Sequence, residues 1–332
     1  MAITRRNILF NPVDRDKFGR GVNLLKQDFS AGVTTQTLGF AGTPIPVSAY
    51  DQFVIWHYVA MNTLTPDSPT NVTGRNSAHR GPIFLPWHRF MLLLFEQHLR
   101  RVLNDPEFGL PYWDWATDGD LPPTQQTHSA LWTQDGIGGN GAPVTTGPFA
   151  FNPDPHAHSF RVFFFENLTT GQLTYTAQGR GLVRQLGDGV SNLPPTLAVS
   201  DTLATEHDYD AGSWDAQSLA FRNRVEGWRT GTPESPPGLH NRIHVWVGGD
   251  MAPGTSPNDP VFYLNHCNED RIWEGWMAQH GRTYVPTESA ADAPEGHRLK
   301  DTIISLVTTA TTTPQDMLDV TNLYTYDVLP TA

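Results

Sequence analysis

The sequence is poor in cysteine, and this scarcity excludes several kinds of site. Cys267 is the single cysteine among 332 residues. The chain therefore has no second thiol for an internal disulfide and too few thiolates for a zinc or iron–sulfur cluster. Histidine, with 13 residues, is the plentiful transition-metal ligand that remains. Any metal centre in this chain is expected to use imidazole nitrogen atoms.

Positive charge and long apolar runs are also scarce. The 22 lysine and arginine residues are outnumbered by 34 aspartates and glutamates, which gives a formal net charge of -12. Such a chain offers no basic stripe for a phosphate backbone, and no stretch approaches the ~18 apolar residues of a membrane-spanning helix. We therefore expect neither nucleic acid nor a membrane as a partner.

The first residues lack the apolar segment of an export signal. Thr4, Arg5 and Arg6 resemble part of a twin-arginine signal, but the charged residues 14–17 follow where a sustained apolar stretch would be needed. This start is typical of a cytoplasmic protein. Export together with a partner protein is the alternative.

Proline, glycine and tryptophan are abundant. With 27 prolines, 29 glycines and 10 tryptophans, the composition predicts long ordered loops between a modest number of helices, as in many enzymes. No internal repeat of fixed period is present, so we expect one mainly α-helical domain over residues 1–332 with few short strands. The helical spacing of apolar residues predicts four main helices, over residues 14–29, 49–64, 86–106 and 258–281.

The spacing of the histidines indicates where a metal could bind. His240 and His244 are four residues apart, which places two imidazoles on one helix face within reach of one metal. Taken alone, this pair is equally compatible with an ordinary helix, and a histidine such as His57 on an apolar face is more often a hydrogen-bonded core residue. Seven others show no partner pattern and are expected to be solvent-facing or capping residues: His98, His128, His156, His158, His207, His280 and His297.

Two long motifs favour the metal interpretation. "HRGPIFLPWHRF" at residues 79–90, continuing to Glu96, resembles the copper A signature of the tyrosinase family of type 3 copper proteins. "DPVFYLNH" at residues 259–266, ending in Asp270, resembles the copper B signature. Four further segments are similar to bacterial members of the family, so that the resemblance covers most of the chain: "YWDW" at 112–115, "TTGPF" at 145–149, "FRNRVEGW" at 221–228 and "LHNRIHVWVGG" at 239–249.

The resemblance implies a fold and two copper sites. The fold would be a four-helix bundle in which each central helix supplies at least one copper ligand, with His79 on a loop. Glu96 and Asp270 would share helix faces with ligands and orient them. Three histidines would hold each of two copper ions: His57, His79 and His88 for copper A, and His240, His244 and His266 for copper B.

The resemblance also implies an activity. Dioxygen would be the co-substrate for hydroxylating monophenols at the ortho position and for oxidising o-diphenols to o-quinones, as in melanin or phenol metabolism. Glu226 and Asn241 would hold a water that accepts the phenol proton, although the long stretch 229–239 after Glu226 weakens that placement. The Tyr-x-Tyr motif at 324–326 resembles the end of the catalytic domain in longer relatives, so no C-terminal shielding domain is expected.

Other functions stay open at this stage. A catechol oxidase or an o-aminophenol oxidase would use the same copper framework without hydroxylating monophenols. A hemocyanin-like oxygen carrier is less expected, because carriers are usually large multimers with a domain that covers the copper. Small phenols are the expected substrates, and a copper-delivery protein is a further candidate partner.

Overall fold

A computed structural model describes residues 2–66, 74–154, 157–204, 208–228 and 238–332 of the protein. In this part of the chain, helix is the main regular structure and the strands are short, as predicted. The α-helices are α1 (Pro12–Gln27), α2 (Ala49–Asn62), α3 (Phe84–Leu103), α4 (Trp115–Gly119), α5 (Pro123–Gln126), α6 (Thr196–Ala204), α7 (Phe221–Glu226), α8 (Leu239–Val247) and α9 (Val261–His280). The strands are β1 (Ile3–Arg5), β2 (Val162–Glu166), β3 (Leu173–Arg180), β4 (Ile303–Ile304), β5 (Thr311–Thr312) and β6 (Tyr324–Tyr326).

The ends of the long helices follow from local chemistry. α1 starts at Pro12, two residues earlier than predicted, because proline needs no hydrogen-bond acceptor for a backbone N–H in the first turn. Ser48 caps α2 by accepting a hydrogen bond from the backbone N–H of Asp51 at 3.0 Å. α3 ends at Leu103 and is followed by Asn104, which adopts the left-handed conformation with φ 51°, and Gly281 follows α9 with φ 87°.

Helices α2, α3, α8 and α9 form the centre of the molecule. α3 packs against α9 and α2, α8 packs against α9, and α1 lies outside on α2 and α3. One hydrophobic cluster of the described residues runs from Ile8 to Met317. The tryptophans of the "YWDW" segment, Trp113 and Trp115, are fully buried in this core. Among the described residues, no helix combines the length and apolarity needed to cross a membrane.

The strands form three two-stranded sheets at the periphery of the helices. β2 and β3 make an antiparallel pair, and β4 pairs antiparallel with β5. β1 pairs in parallel with β6, with Ile3 opposite Tyr324 and Arg5 opposite Tyr326. The two ends of the described chain are therefore joined in one sheet.

Candidate metal centre

The six predicted ligand histidines lie in two groups of three. The ligand atoms within each group are all within 4.8 Å of one another. α2 carries His57 and α3 carries His88, while His79 precedes α3 on a loop. α8 carries His240 and His244, and α9 carries His266. Each of the four central helices thus supplies at least one imidazole.

The two groups face each other across a narrow gap. The rings of His88 and His266 are stacked, with centroids 4.1 Å apart and planes 4° apart. His79 and His240 face each other with centroids 6.0 Å apart. The Phe262 ring packs at 4.1 Å from His266 and 5.0 Å from His57, so an apolar side chain holds the two groups at their spacing.

Backbone carbonyls fix four of the six rings. Nδ1 of His57 donates to the carbonyl of Gly254 at 2.6 Å and Nδ1 of His88 donates to Phe84 at 2.8 Å. The corresponding acceptors for His240 and His244 are the carbonyls of Glu226, at 3.1 Å, and Met251, at 2.6 Å. A carbonyl can only accept, so Nδ1 carries the proton and Nε2 keeps its lone pair.

These lone pairs have no protein partner. Nε2 is buried without a hydrogen bond to any described residue in His57, His88, His240, His244 and His266. Burial also lowers the pKa of all six imidazoles, to about 3 for His57 and about 4 for His244. Neutral imidazoles with unshared nitrogen lone pairs are what a transition metal requires, whereas a core histidine would be expected to use both nitrogens.

The predicted roles of Glu96 and Asp270 are wrong. Glu96 pairs with Arg5 and Arg100, and Asp270 pairs with Arg5 and Arg89. Their polar contacts with the described residues include none of the six histidines. Helical spacing placed both carboxylates near a predicted ligand, but arginine side chains take up their oxygens instead.

Glu269 is a carboxylate that lies beside a predicted ligand, His266, and the sequence reasoning missed it. Oε2 of Glu269 is 2.9 Å from Nδ1 of His266, and the residue is 1% exposed. Burial raises the pKa of the Glu269 carboxyl well above its usual range. A three-residue offset on a helix also brings side chains together, and this signal was available in the sequence.

Glu226 and Asn241 both contact the ring of His240. Oδ1 of Asn241 is 3.0 Å from Nδ1 of His240, the same atom that meets the Glu226 carbonyl. The Glu226 carboxylate accepts hydrogen bonds from the backbone N–H of Arg80 at 2.5 Å and from Arg222 at 2.7 Å. Burial raises the pKa of Glu226 despite the adjacent Arg222 guanidinium. Most of the stretch 229–239 lies outside the described residues.

His297 lies elsewhere than the sequence predicted. It is fully buried rather than solvent-facing. Its Nε2 lies 3.1 Å from the carbonyl of Asn76, and its Nδ1 accepts from the backbone N–H of Ile83 at 3.3 Å. These contacts hold the two ends of the loop that carries His79. Of the other histidines expected at the surface, His128 and His158 are exposed, whereas His156 and His207 lie outside the described residues.

Comparisons with known proteins agree with this geometry. A family model described as the common central domain of tyrosinase matches residues 47–279. A tyrosinase from Streptomyces antibioticus is 39% identical over 285 residues, which cover 84% of this chain and 89% of that protein. Grixazone synthase from Streptomyces griseus subsp. griseus is 39% identical over 292 residues, covering 84% of this chain and 90% of that protein. A mutant polyphenol oxidase from Thermothelomyces thermophila has the same fold, with TM-score 0.68 and 22% identity over 99% of this chain and 89% of the other.

Proposed function

The chain belongs to the tyrosinase family of copper oxidases, and we propose that it hydroxylates monophenols at the ortho position and oxidises o-diphenols to o-quinones. The observation that carries this proposal is the pair of facing groups of three neutral imidazoles, five of which keep an unshared Nε2 lone pair in the described structure. Family membership establishes a binuclear copper enzyme. The assignment of individual ligands and the hydroxylation of monophenols belong to the proposal.

The residues present fit two copper ions. In the proposal one ion is held by His57, His79 and His88, and the other by His240, His244 and His266. Three imidazoles per ion leave further coordination positions open, as a reactive centre needs. The chemistry that two bound copper ions supply is the activation of dioxygen for attack on an electron-rich ring.

The protein must also take the proton of the phenol, a group whose usual pKa is about 10. Asn241 lies where a water could be held beside His240, because its side-chain amide already contacts that ring. Both oxygens of the Glu226 carboxylate already accept hydrogen bonds, from Arg80 and Arg222, so its remaining lone pairs offer a less free acceptor. We therefore assign the positioning of the water chiefly to Asn241, with Glu226 as its support.

The preferred phenol is a separate question. The relative named grixazone synthase and the relative named tyrosinase are each 39% identical to this chain, so overall identity does not separate their reactions. Catechol oxidation or o-aminophenol oxidation without monophenol hydroxylation is the second candidate function. A cytoplasmic location and a copper-delivery partner remain predictions from the sequence.

The test of the function is a paired assay on copper-loaded protein. A monophenol, the matching o-diphenol and the matching o-aminophenol are offered in turn with dioxygen, and oxygen consumption and quinone formation are followed. We expect turnover of the monophenol as well as of the o-diphenol. Turnover of the o-diphenol or o-aminophenol alone would replace the proposal with the second candidate function.

The role of Asn241 makes a prediction that separates the two reactions. Oxidation of an o-diphenol demands less of a positioned base than hydroxylation of a monophenol. Asn241→Gly should therefore lower monophenol hydroxylation on the order of ten-fold or more relative to o-diphenol oxidation, the effect expected for a lost general base. Glu226→Gln should change the ratio in the same direction but less. Equal losses of both activities, with copper content reduced, would instead assign Asn241 to the integrity of the metal site.

A further inference from the structure

We propose that Glu269 is a positioning residue for the copper ligand His266, by accepting the Nδ1–H of its imidazole. Oε2 of Glu269 lies 2.9 Å from Nδ1 of His266. The proposal depends on the binuclear copper centre of the family, but not on which phenol the enzyme oxidises.

His266 needs such a partner, because no backbone carbonyl serves its Nδ1. His57, His88, His240 and His244 each direct Nδ1 to a carbonyl oxygen, while Nδ1 of His266 has no hydrogen bond of ordinary geometry to the described residues. On α3 the carbonyl one turn back serves Nδ1 of His88, but on α9 no carbonyl of a described residue makes a hydrogen bond with Nδ1 of His266. A side chain one turn away is the available acceptor.

Glu269 in turn has no other function in the fold that the described contacts reveal. Neither of its oxygens makes a hydrogen bond of ordinary geometry, and the side-chain amide of Asn265 is the neighbour that favours its charged form. The arginines around α9 pair elsewhere: Arg5 with Glu96 and Asp270, Arg89 with Asp270 and Glu274, Arg271 with Asp114, and Arg282 with Glu274. A buried carboxyl group without a cation is costly, and a copper ion on His266 would supply the missing positive charge.

The contact needs a small adjustment to become a hydrogen bond. Oε2 lies within hydrogen-bond distance of Nδ1 but away from the direction of the N–H bond. The last side-chain torsion of a glutamate is broad, so rotation of the carboxyl group can bring an oxygen into line at little cost. A carboxyl oxygen can accept a hydrogen bond from Nδ1–H whether the carboxyl group is ionised or neutral, so the contact does not require a particular charge on Glu269.

The consequence for the metal is specific. A ligand histidine whose second nitrogen donates to a carboxyl group has a fixed ring orientation and a more basic metal-binding nitrogen. Loss of such a partner typically lowers metal affinity about 10- to 100-fold. The effect should fall on the copper ion held by His266 and leave the other ion unchanged.

The experiment compares Glu269→Met and Glu269→Gln with the wild type. Met removes the acceptor at similar length, and Gln keeps an acceptor oxygen without the negative charge. Apo proteins are titrated with copper against a competing chelator, and their thermal unfolding is measured without copper. We expect Glu269→Met to bind one of two coppers about 10- to 100-fold more weakly while its apo melting temperature is unchanged or higher, since a buried unpaired carboxyl group has been removed. Glu269→Gln should show a smaller loss.

Glu274→Gln is the matched control. Glu274 lies five residues further along α9 and pairs with Arg89 and Arg282. This control should bind both coppers with wild-type affinity, even where its apo melting temperature falls. The proposal is overturned if Glu269→Met binds both coppers as the wild type does, or if its copper affinity falls only in parallel with apo stability. If the wild type itself fails to bind two coppers in this titration, the result refutes the binuclear centre and not specifically the role of Glu269.

Discussion

At the scale of single residues, the protonation of four of the six imidazoles is fixed by the carbonyl that accepts from Nδ1. Carbonyls of Gly254, Phe84, Glu226 and Met251 each hold one ring by Nδ1. The remaining nitrogen of each ring points into the shared gap without a protein partner. A metal therefore meets oriented, neutral donors and has no proton to displace from them.

The ligand assignment predicts the copper content of two variants. His88→Ala and His266→Ala each remove one of three donors from a different group, so copper bound per chain should fall below two and oxidase activity should be lost. The fold should persist with reduced stability, because metal binding contributes to folding free energy. Copper is measured by metal analysis of purified protein.

His98→Ala serves as the control for these variants. His98 lies on α3, as His88 does, but contacts the ring of Phe53 rather than the metal site. It should retain two coppers per chain. Full copper loading and activity in either His88→Ala or His266→Ala would refute the ligand assignment.

At the scale of elements, the loop before α3 has to hold His79 without a helix. Oδ1 of Asn76 accepts from the backbone N–H of His79 at 2.8 Å, which tightens the turn. His297 then bonds both Asn76 and Ile83 from behind. Position 81 requires glycine next to His297, because a Cβ at this position would lie 2.6 Å from Nδ1 of His297. The ligand is positioned by a distant segment of the chain.

His297 should make stability depend on pH in a defined direction. Burial, assisted by the charges of Arg75 and Arg222, lowers the pKa of His297 well below its usual value. Below pH ~6.5 the unfolded chain therefore takes up a proton that the folded chain does not, so this contribution to stability is complete at higher pH and is lost as pH falls. As pH falls below ~6.5, the free energy of unfolding of the wild type should therefore decrease more steeply than that of His297→Gln. The difference between the two slopes should be about 1.4 kcal/mol per pH unit.

The measurement is urea unfolding of the apo wild type and apo His297→Gln at pH 7, 6 and 5. Gln can both donate and accept a hydrogen bond, so the variant preserves the type of contact that His297 makes. Equal slopes of stability against pH in the two proteins would show that His297 does not titrate as described.

At the scale of the whole molecule, a buried ionic network joins the two ends of the described chain. Arg5 on β1 pairs with Glu96 of α3 and Asp270 of α9. Tyr324 and Tyr326 of β6 donate hydrogen bonds to the same Asp270 carboxylate. Strong pairing with Arg89 and Arg5 lowers the pKa of Asp270 although burial opposes this. The network fastens α3 to α9 through Arg89 and Asp270, and through Arg5 between Glu96 and Asp270.

Removal of Arg5 should therefore destabilise the fold without changing the metal site. Arg5→Met leaves Glu96 with the partly exposed Arg100 as its remaining cation and Asp270 with Arg89, which should lower the free energy of unfolding by up to about 3 kcal/mol. Denaturant unfolding of the apo protein measures this loss. Copper affinity under native conditions should equal that of the wild type, and a selective loss of one copper would instead support the orienting role first expected for Glu96 and Asp270.

The sequence by itself determined the family and the helical class, and it predicted the six histidines that the fold brings into two groups. A long motif such as residues 79–90 carries this information because twelve consecutive residues match the family signature in order. A histidine pair four residues apart, such as His240 and His244, already predicts a shared helix face. It also set the limits of the long helices to within a few residues, since caps and prolines act locally.

Only the tertiary structure decided what stands behind each ligand. The acceptor for His57 is 197 residues away along the chain, and Arg5 is 265 residues from Asp270. Helical spacing made Asp270 and Glu269 equally near to His266, one four residues on and the other three. Arg5 and Arg89, which lie on other elements, form ion pairs with Asp270, whereas Glu269 stays beside the imidazole of His266. Buried charges pair with the opposite charges that the fold brings within reach, and the local sequence does not specify these partners.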